Sequence, residues 1–271
     1  MWPAPRADRL RAGLASLAEA GPGRWAFAVW EQGRPVVSLS GAEPVPAAST
    51  IKVPLLVLAL QDVATGRRDL DDDVPVPAER AGGAGVLRLL PSVRRLRFAE
   101  LLTLMIAVSD NAASNLVIEL LGLDDADRRL AALGLTGTRL RRRLMDTEAA
   151  RAGLENVTTA DDQSRLLDRL AGPDLLPAPL RAFALDALAE QQVNDRMPTQ
   201  LGDDVRCLHK TGELPGVRHD VGLLEFDGRT VALAALGTEL TDPATLRLAG
   251  SGPAGTVIGA AARMVVEVAR T

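Results

Sequence analysis

The chain has 271 residues, 47% hydrophobic and 24% charged, enough apolar material for a sizeable core in one large or two closely packed domains. A net charge of −4, with arginines interleaved among aspartates and glutamates, argues against a nucleic-acid surface, and no run reaches the roughly 18 apolar residues that span a bilayer. Cys207 is the only cysteine and His209 and His219 the only histidines, so no intrachain disulfide and no zinc-type ligand spacing exists; no metal or other cofactor is expected.

In chain order, residues 5–20 read as an amphipathic helix without the unbroken apolar core of a signal peptide. That predicts a cytoplasmic location for the chain as it stands, and a periplasmic or secreted one if a leader has been removed. A strand over 24–31, a Gln32-Gly33 turn and a strand over 34–39 form a predicted hairpin. A Pro-rich link over 41–48 leads to a helix beginning at Ser49 and ending near Gly66. Residues 67–79 read as an acidic, solvated loop, and 81–85 as a glycine-rich bend. Helices are expected over 92–108, 112–121 and 124–133, then a long loop over 136–158, then helices from Thr159 to about residue 194. Strands return at 205–209, 217–226 and 230–236, the last two joined by an Asp227-Gly228 hairpin signal, and a helix over 255–269 closes the chain. Strands at both ends with helices between imply an α+β fold: an antiparallel sheet from residues 1–46 and 203–271, with an all-helical domain inserted over 47–202.

Ser49 and Lys52 are three apart, so on a helix they share a face, and Lys52 is the only charge in the apolar run from Ile51 to Leu60. A buried ammonium must find partners or give up its proton. A lysine of lowered pKa beside a hydroxyl is a nucleophile–base pair, whereas an N-capping serine and a snorkelling lysine would be inert. Ser109-Asp110-Asn111 falls between two predicted helices, and Lys210-Thr211-Gly212 leaves a predicted strand.

The three signals, in this order and at these structural places, resemble those of the class A β-lactamase and penicillin-binding serine hydrolases, and the resemblance spans about residues 20 to 270. It implies the serine β-lactamase fold and an acyl-enzyme on Ser49, with the active site between the two domains. Lys52 would be its activating partner, Ser109 the proton relay to the leaving amine, and Lys210 and Thr211 the dock for a substrate carboxylate. Asn111 would bridge Lys52 and a substrate amide, Gly212 would let the strand approach, and the backbone N–H groups of Ser49 and Glu213 would form the oxyanion hole. The implied partner is a small-molecule β-lactam, amide or ester, and the chain is expected to be a monomer.

Two departures follow from the same resemblance. The family's deacylating glutamate, counted from Thr138-Arg139-Leu140, falls on Leu144; Asp146, Glu148 or Glu155 could replace it from a shifted loop, with Glu148 and Asp146 the candidates carried forward. Glu213 stands where a small residue is usual, and would repel an anionic substrate unless Arg218 or His219 offsets it. These departures predict slow β-lactam turnover; a covalent penicillin-binding sensor or a D,D-peptidase is the alternative.

Overall fold

The structure, a computed structural model of the chain, describes residues 2–271. Helix α1 (Ala4–Ala20) has Pro5 in its first turn, where the missing N–H costs nothing. Strands β1 (Arg24–Glu31) and β2 (Arg34–Leu39) meet through Gln32 and Gly33, both at positive φ (52° and 76°), as a two-residue turn of this hand requires. After β3 (Val45–Pro46), residues 48–51 form a single 3₁₀ turn and α2 (Lys52–Ala64) follows. Then come β4 (Asp73–Pro75), β5 (Arg95–Arg97), α3 (Phe98–Ala107), α4 (Asn111–Leu121), α5 (Leu123–Ala132), α6 (Thr147–Arg151), β6 (Val157–Thr158), α7 (Ala160–Ala171) and α8 (Ala178–Ala189). The chain closes with β7 (Arg206–Leu214), β8 (Val217–Phe226), β9 (Arg229–Thr238), α9 (Pro243–Leu246) and α10 (Gly252–Arg270).

The protein is α+β. Its five-stranded sheet has the order β2-β1-β9-β8-β7 and is antiparallel throughout, built from the two ends of the chain. One face, with Phe27, Val29, Leu224, Val231 and Leu233, packs on α1 and α10. Alternate residues on the other face (Ala26, Ala28, Leu208, Val221, Leu223, Ala234) join α2, α3, α4 and α7 in a second core, as the two-residue side-chain period requires. Helix α2 runs through that core with every residue from Lys52 to Leu60 buried. Arg129 of α5 forks onto the Asp62 carboxylate (2.7 and 3.3 Å) and ties α5 to α2.

Three expectations need correction. Ser49 does not cap a helix; it lies inside the 3₁₀ turn, after Ala48 at φ 46°. The helix expected over 92–108 starts at Phe98, because Arg95–Arg97 pair with Asp73–Pro75 as a two-stranded ribbon within the supposed acidic loop. Strand β7 runs to Leu214 instead of ending at His209, so Lys210, Thr211, Gly212 and Glu213 lie on the strand itself.

Both histidines are buried in β7 and β8. His209 Nδ1 pairs with Asp220, and His219 Nε2 donates to the Pro46 carbonyl (2.9 Å), tying β8 to the segment before Ser49. Burial depresses the His219 pKa from 6.5 to about 4, chiefly by desolvating the charged ring. Between those values the unfolded chain binds the proton and the folded one does not, so stability falls as pH drops from 6.5 toward 4. The loss expected from this ring is on the order of 3 kcal/mol. Urea titrations across that range should show a shallower acid limb in His219→Gln; an unchanged limb would rule this ring out as its source.

Candidate active site

Lys52 is fully buried. Its Nζ reaches three acceptors: the Ser109 carbonyl at 2.7 Å, Ser109 Oγ at 3.0 Å and Asn111 Oδ1 at 2.9 Å. Desolvation, aided by the nearby Lys210 charge, lowers the Lys52 pKa well below its usual value. Lysine and hydroxyl are thus poised to share protons. Ser109 holds a left-handed backbone at φ 55°, uncommon for a residue with a Cβ, and so turns both its carbonyl and its hydroxyl onto Lys52. Asp110 caps α4 through Ala113 N–H (3.0 Å), and its other oxygen accepts from Leu87 N–H (2.7 Å), which locks the turn.

Strand β7 supplies the opposite wall. A Cβ on Gly212 would meet Thr50 Cγ2 at 3.0 Å and Thr50 N at 3.2 Å, so glycine is what lets this strand edge reach the Ser49 turn. Lys210 is fully buried and donates to the Thr211 carbonyl (2.9 Å). Desolvation is the main cause that brings its pKa down to about 7; Asp220 and Glu213 pull the other way, and Arg196 adds to the lowering. The site therefore holds two lysines whose burial drives both toward the neutral amine.

Ser49 is half-buried at this seam. Its turn is held from behind: Ala47 N–H donates to the Asn156 carbonyl (2.8 Å), and Gln163 of α7 donates to the Thr50 carbonyl (3.2 Å) and to Thr158 Oγ1 (3.0 Å). The structure thus brings Ser49, Lys52, Ser109, Asn111, Lys210, Thr211, Gly212 and Glu213 to one place, although they come from three distant stretches of sequence.

Against this geometry, residues 8–269 match the model of the β-lactamase enzyme family. The chain belongs to that family. Solved structures of β-lactamases and of PBP-A share its fold. The β-lactamase of Sphaerobacter thermophilus DSM 20745 superposes with a TM-score of 0.82 at 28% identity, covering 95% of this chain and 96% of that one. PBP-A gives 0.84 at 25% identity over 97% and 96%. The ancestral GNCA class A β-lactamase gives 0.84 at 28% identity over 95% and 99%. No curated protein matches the sequence.

The loop that carries a family glutamate is anchored by the Arg139–Val157 bridge and by Thr138 Oγ1, which donates to Asp162 (2.9 Å). Inside it, Asn156 Oδ1 accepts from the N–H groups of Arg141 (2.7 Å) and Arg142 (3.1 Å). The Asn115 amide grips Leu144 at both ends, accepting from its N–H (2.8 Å) and donating to its carbonyl (3.0 Å). The three loop carboxylates are engaged or exposed elsewhere. Asp146 caps α6 and lines, with Leu144, Arg143 and Glu119, a surface cavity that also takes in Gly82 and Ala112; Glu148 is exposed in the first turn of α6; Glu155 pairs with Arg142 at 2.6 Å. None of them is among the hydrogen-bond partners of Lys52.

Arg218 is also placed away from the substrate side. It is wholly buried and donates to the carbonyls of Val217 (2.8 Å), Gly250 (2.9 Å), Leu214 (3.1 Å) and Thr245 (3.2 Å), stapling the segment before α10 to the sheet. Nor does His219 offset Glu213, since its ring is committed to Pro46 and held neutral. Glu213 pairs instead with Arg196, which is fully buried, lies 2.5 Å from it and donates to the carbonyls of Gly212 (3.1 Å) and His219 (3.0 Å). Nothing in the sequence marked it, because it sits between elements in a chain with many arginines.

Lys210 loses its charge near pH 7, and a negatively charged acyl donor binds best while that charge is present. Acylation by such a donor should therefore fall as pH rises through about 7. In Lys210→Arg this alkaline limb should move up out of range, because a guanidinium stays charged. Second-order rates measured against pH in both proteins check this; the same midpoint in both would remove Lys210 as the titrating group.

Proposed function

We propose that the protein is a serine acyl-hydrolase that forms a Ser49 ester with β-lactams or related small amides and esters and releases it slowly. The observation that carries this is the hydrogen bonding of buried Lys52 to Ser109 and Asn111 beside the Ser49 turn and the Gly212 edge. Once deprotonated, Lys52 keeps two N–H donors and a lone pair, and the lone pair takes the Ser49 proton as Oγ attacks the acyl carbon. Ser109 Oγ, hydrogen-bonded to Lys52, hands a proton to the departing amine or alkoxide, and Lys52 returns one to Ser109. The backbone N–H groups of Ser49 and Glu213, on the turn and the strand edge, are the proposed oxyanion donors. Asn111, already bound to Lys52 and through Nδ2 to the Gly82 carbonyl (3.1 Å), presents its amide to an acylamino group.

Slow release rests on Leu144. It occupies the position counted for the deacylating glutamate, and Asn115 fixes its backbone there. An isobutyl side chain cannot deprotonate water, and general-base assistance is worth roughly 10²- to 10⁴-fold. This favours a long-lived adduct, and with it the penicillin-binding sensor as a second reading.

Incubation with nitrocefin and intact-mass measurement over hours test the reading. A mass shift absent from Ser49→Ala is expected; no adduct and no turnover in the wild-type protein would end the β-lactam assignment. Lys52→Met should lower the acylation rate by about 10²-fold or more. Leu144→Glu should shorten the adduct's lifetime without abolishing its formation, and an adduct just as persistent would show that another feature limits release.

A further inference from the structure

Side chains two apart on a strand share a face, so Thr211 and Glu213 project to the same side of β7. Arg196 lies against that side with its side chain fully buried. Its Nε donates to Ser251 Oγ (2.6 Å), and its guanidinium meets two carboxylates, Glu213 at 2.5 Å and Asp195 at 3.3 Å. Both acids keep 43% of their side chains exposed. Two partly solvated carboxylates thus meet the Arg196 guanidinium on the face that also carries Thr211, while the nearby buried Arg218 guanidinium is committed to backbone carbonyls.

A carboxylate arriving at Thr211 would normally recruit this guanidinium. Here the chain's own carboxylate already holds it. An incoming anion must displace Glu213 or sit next to it, and like charges at contact distance are unfavourable even when partly screened. Burial also depletes the charge of Lys210 at neutral pH. An uncharged ester or amide meets no such repulsion, and an amide N–H can also donate a hydrogen bond to Glu213.

We propose that Glu213, seated on Arg196, is a specificity determinant that turns the Thr211 subsite against anionic acyl donors and toward uncharged ones. This rests on the Ser49 acylation reading above and adds the substrate class to it.

Benzylpenicillin and its methyl ester test it, because they present the same β-lactam carbonyl to Ser49 and differ only in whether the carboxylate is free or methylated. Rates of Ser49 adduct formation are read by intact mass. The wild-type protein should react faster with the methyl ester, and its rate with benzylpenicillin should rise with ionic strength. In Glu213→Gln the benzylpenicillin-to-ester rate ratio should rise about tenfold, equivalent to about 1.4 kcal/mol. Faster reaction of the wild-type protein with benzylpenicillin, or an unchanged ratio in Glu213→Gln, overturns the proposal while leaving Ser49 acylation intact. Should the variant fail to fold, the wild-type ratio and its salt dependence decide alone. No Ser49 adduct from either compound brings down the acylation reading and this proposal with it.

Discussion

The burial of Lys52 is the constraint on which the remaining geometry depends. Taking an ammonium out of water costs several kcal/mol even in a relaxed protein. Each hydrogen bond from a charged donor returns roughly 1.5–3 kcal/mol. The acceptors Ser109 carbonyl, Ser109 Oγ and Asn111 Oδ1 therefore bring the group close to the balance at which its proton can leave. Two come from Ser109 in the turn between α3 and α4 and the third from Asn111 at the start of α4, so one side chain fixes α2 against α4. The left-handed backbone at Ser109 is part of the same bargain, since it aims two oxygens of one residue at one nitrogen. A second strained residue, Ala48 at φ 46°, stands immediately before Ser49. Strain of this kind runs to about 1–3 kcal/mol per residue and persists only where the surroundings over-determine it. Here the Asn156, Gln163 and His219 hydrogen bonds do so.

How much of this was legible in the sequence depends on whether the signal was local. Hairpin turns at Gln32-Gly33 and Asp227-Gly228 were, because positive φ at paired positions demands those residue types. The start of α7 was as well, with Thr159 accepting from Asp162 N–H. Terminal strands around a helical middle followed from the change in hydrophobic period. The start of α3 and the end of β7 were not readable, because pairing with Asp73–Pro75 and with β8 sets those limits. Ser49 looked like a helix cap, since serine is common there, whereas a 3₁₀ turn is set by contacts with β7 and the 139–157 loop.

Within the site, the residues that meet around Lys52 were legible because three short motifs in a fixed order mark them. The counterion of Glu213 was not. Arg218 is its neighbour across the strand pair, yet it turns to the carbonyls before α10, and Arg196 comes from a segment without periodicity. Leu144 was readable only by counting; the Asn115 amide that grips both ends of its peptide backbone is a spatial fact.

Strand β7 is an outer strand of the sheet, and the close approach of Gly212 to Thr50 has a consequence apart from chemistry. An uncovered strand edge is a template on which another chain can add. At the opposite edge, β2 carries Pro35, which withholds a donor. β7 carries no proline, and the turn that holds Ser49 packs against it at Gly212. Loosening the seam for a bulkier ligand would thus bare a polymerisation surface, so cleft width and colloidal behaviour are bound together in this molecule.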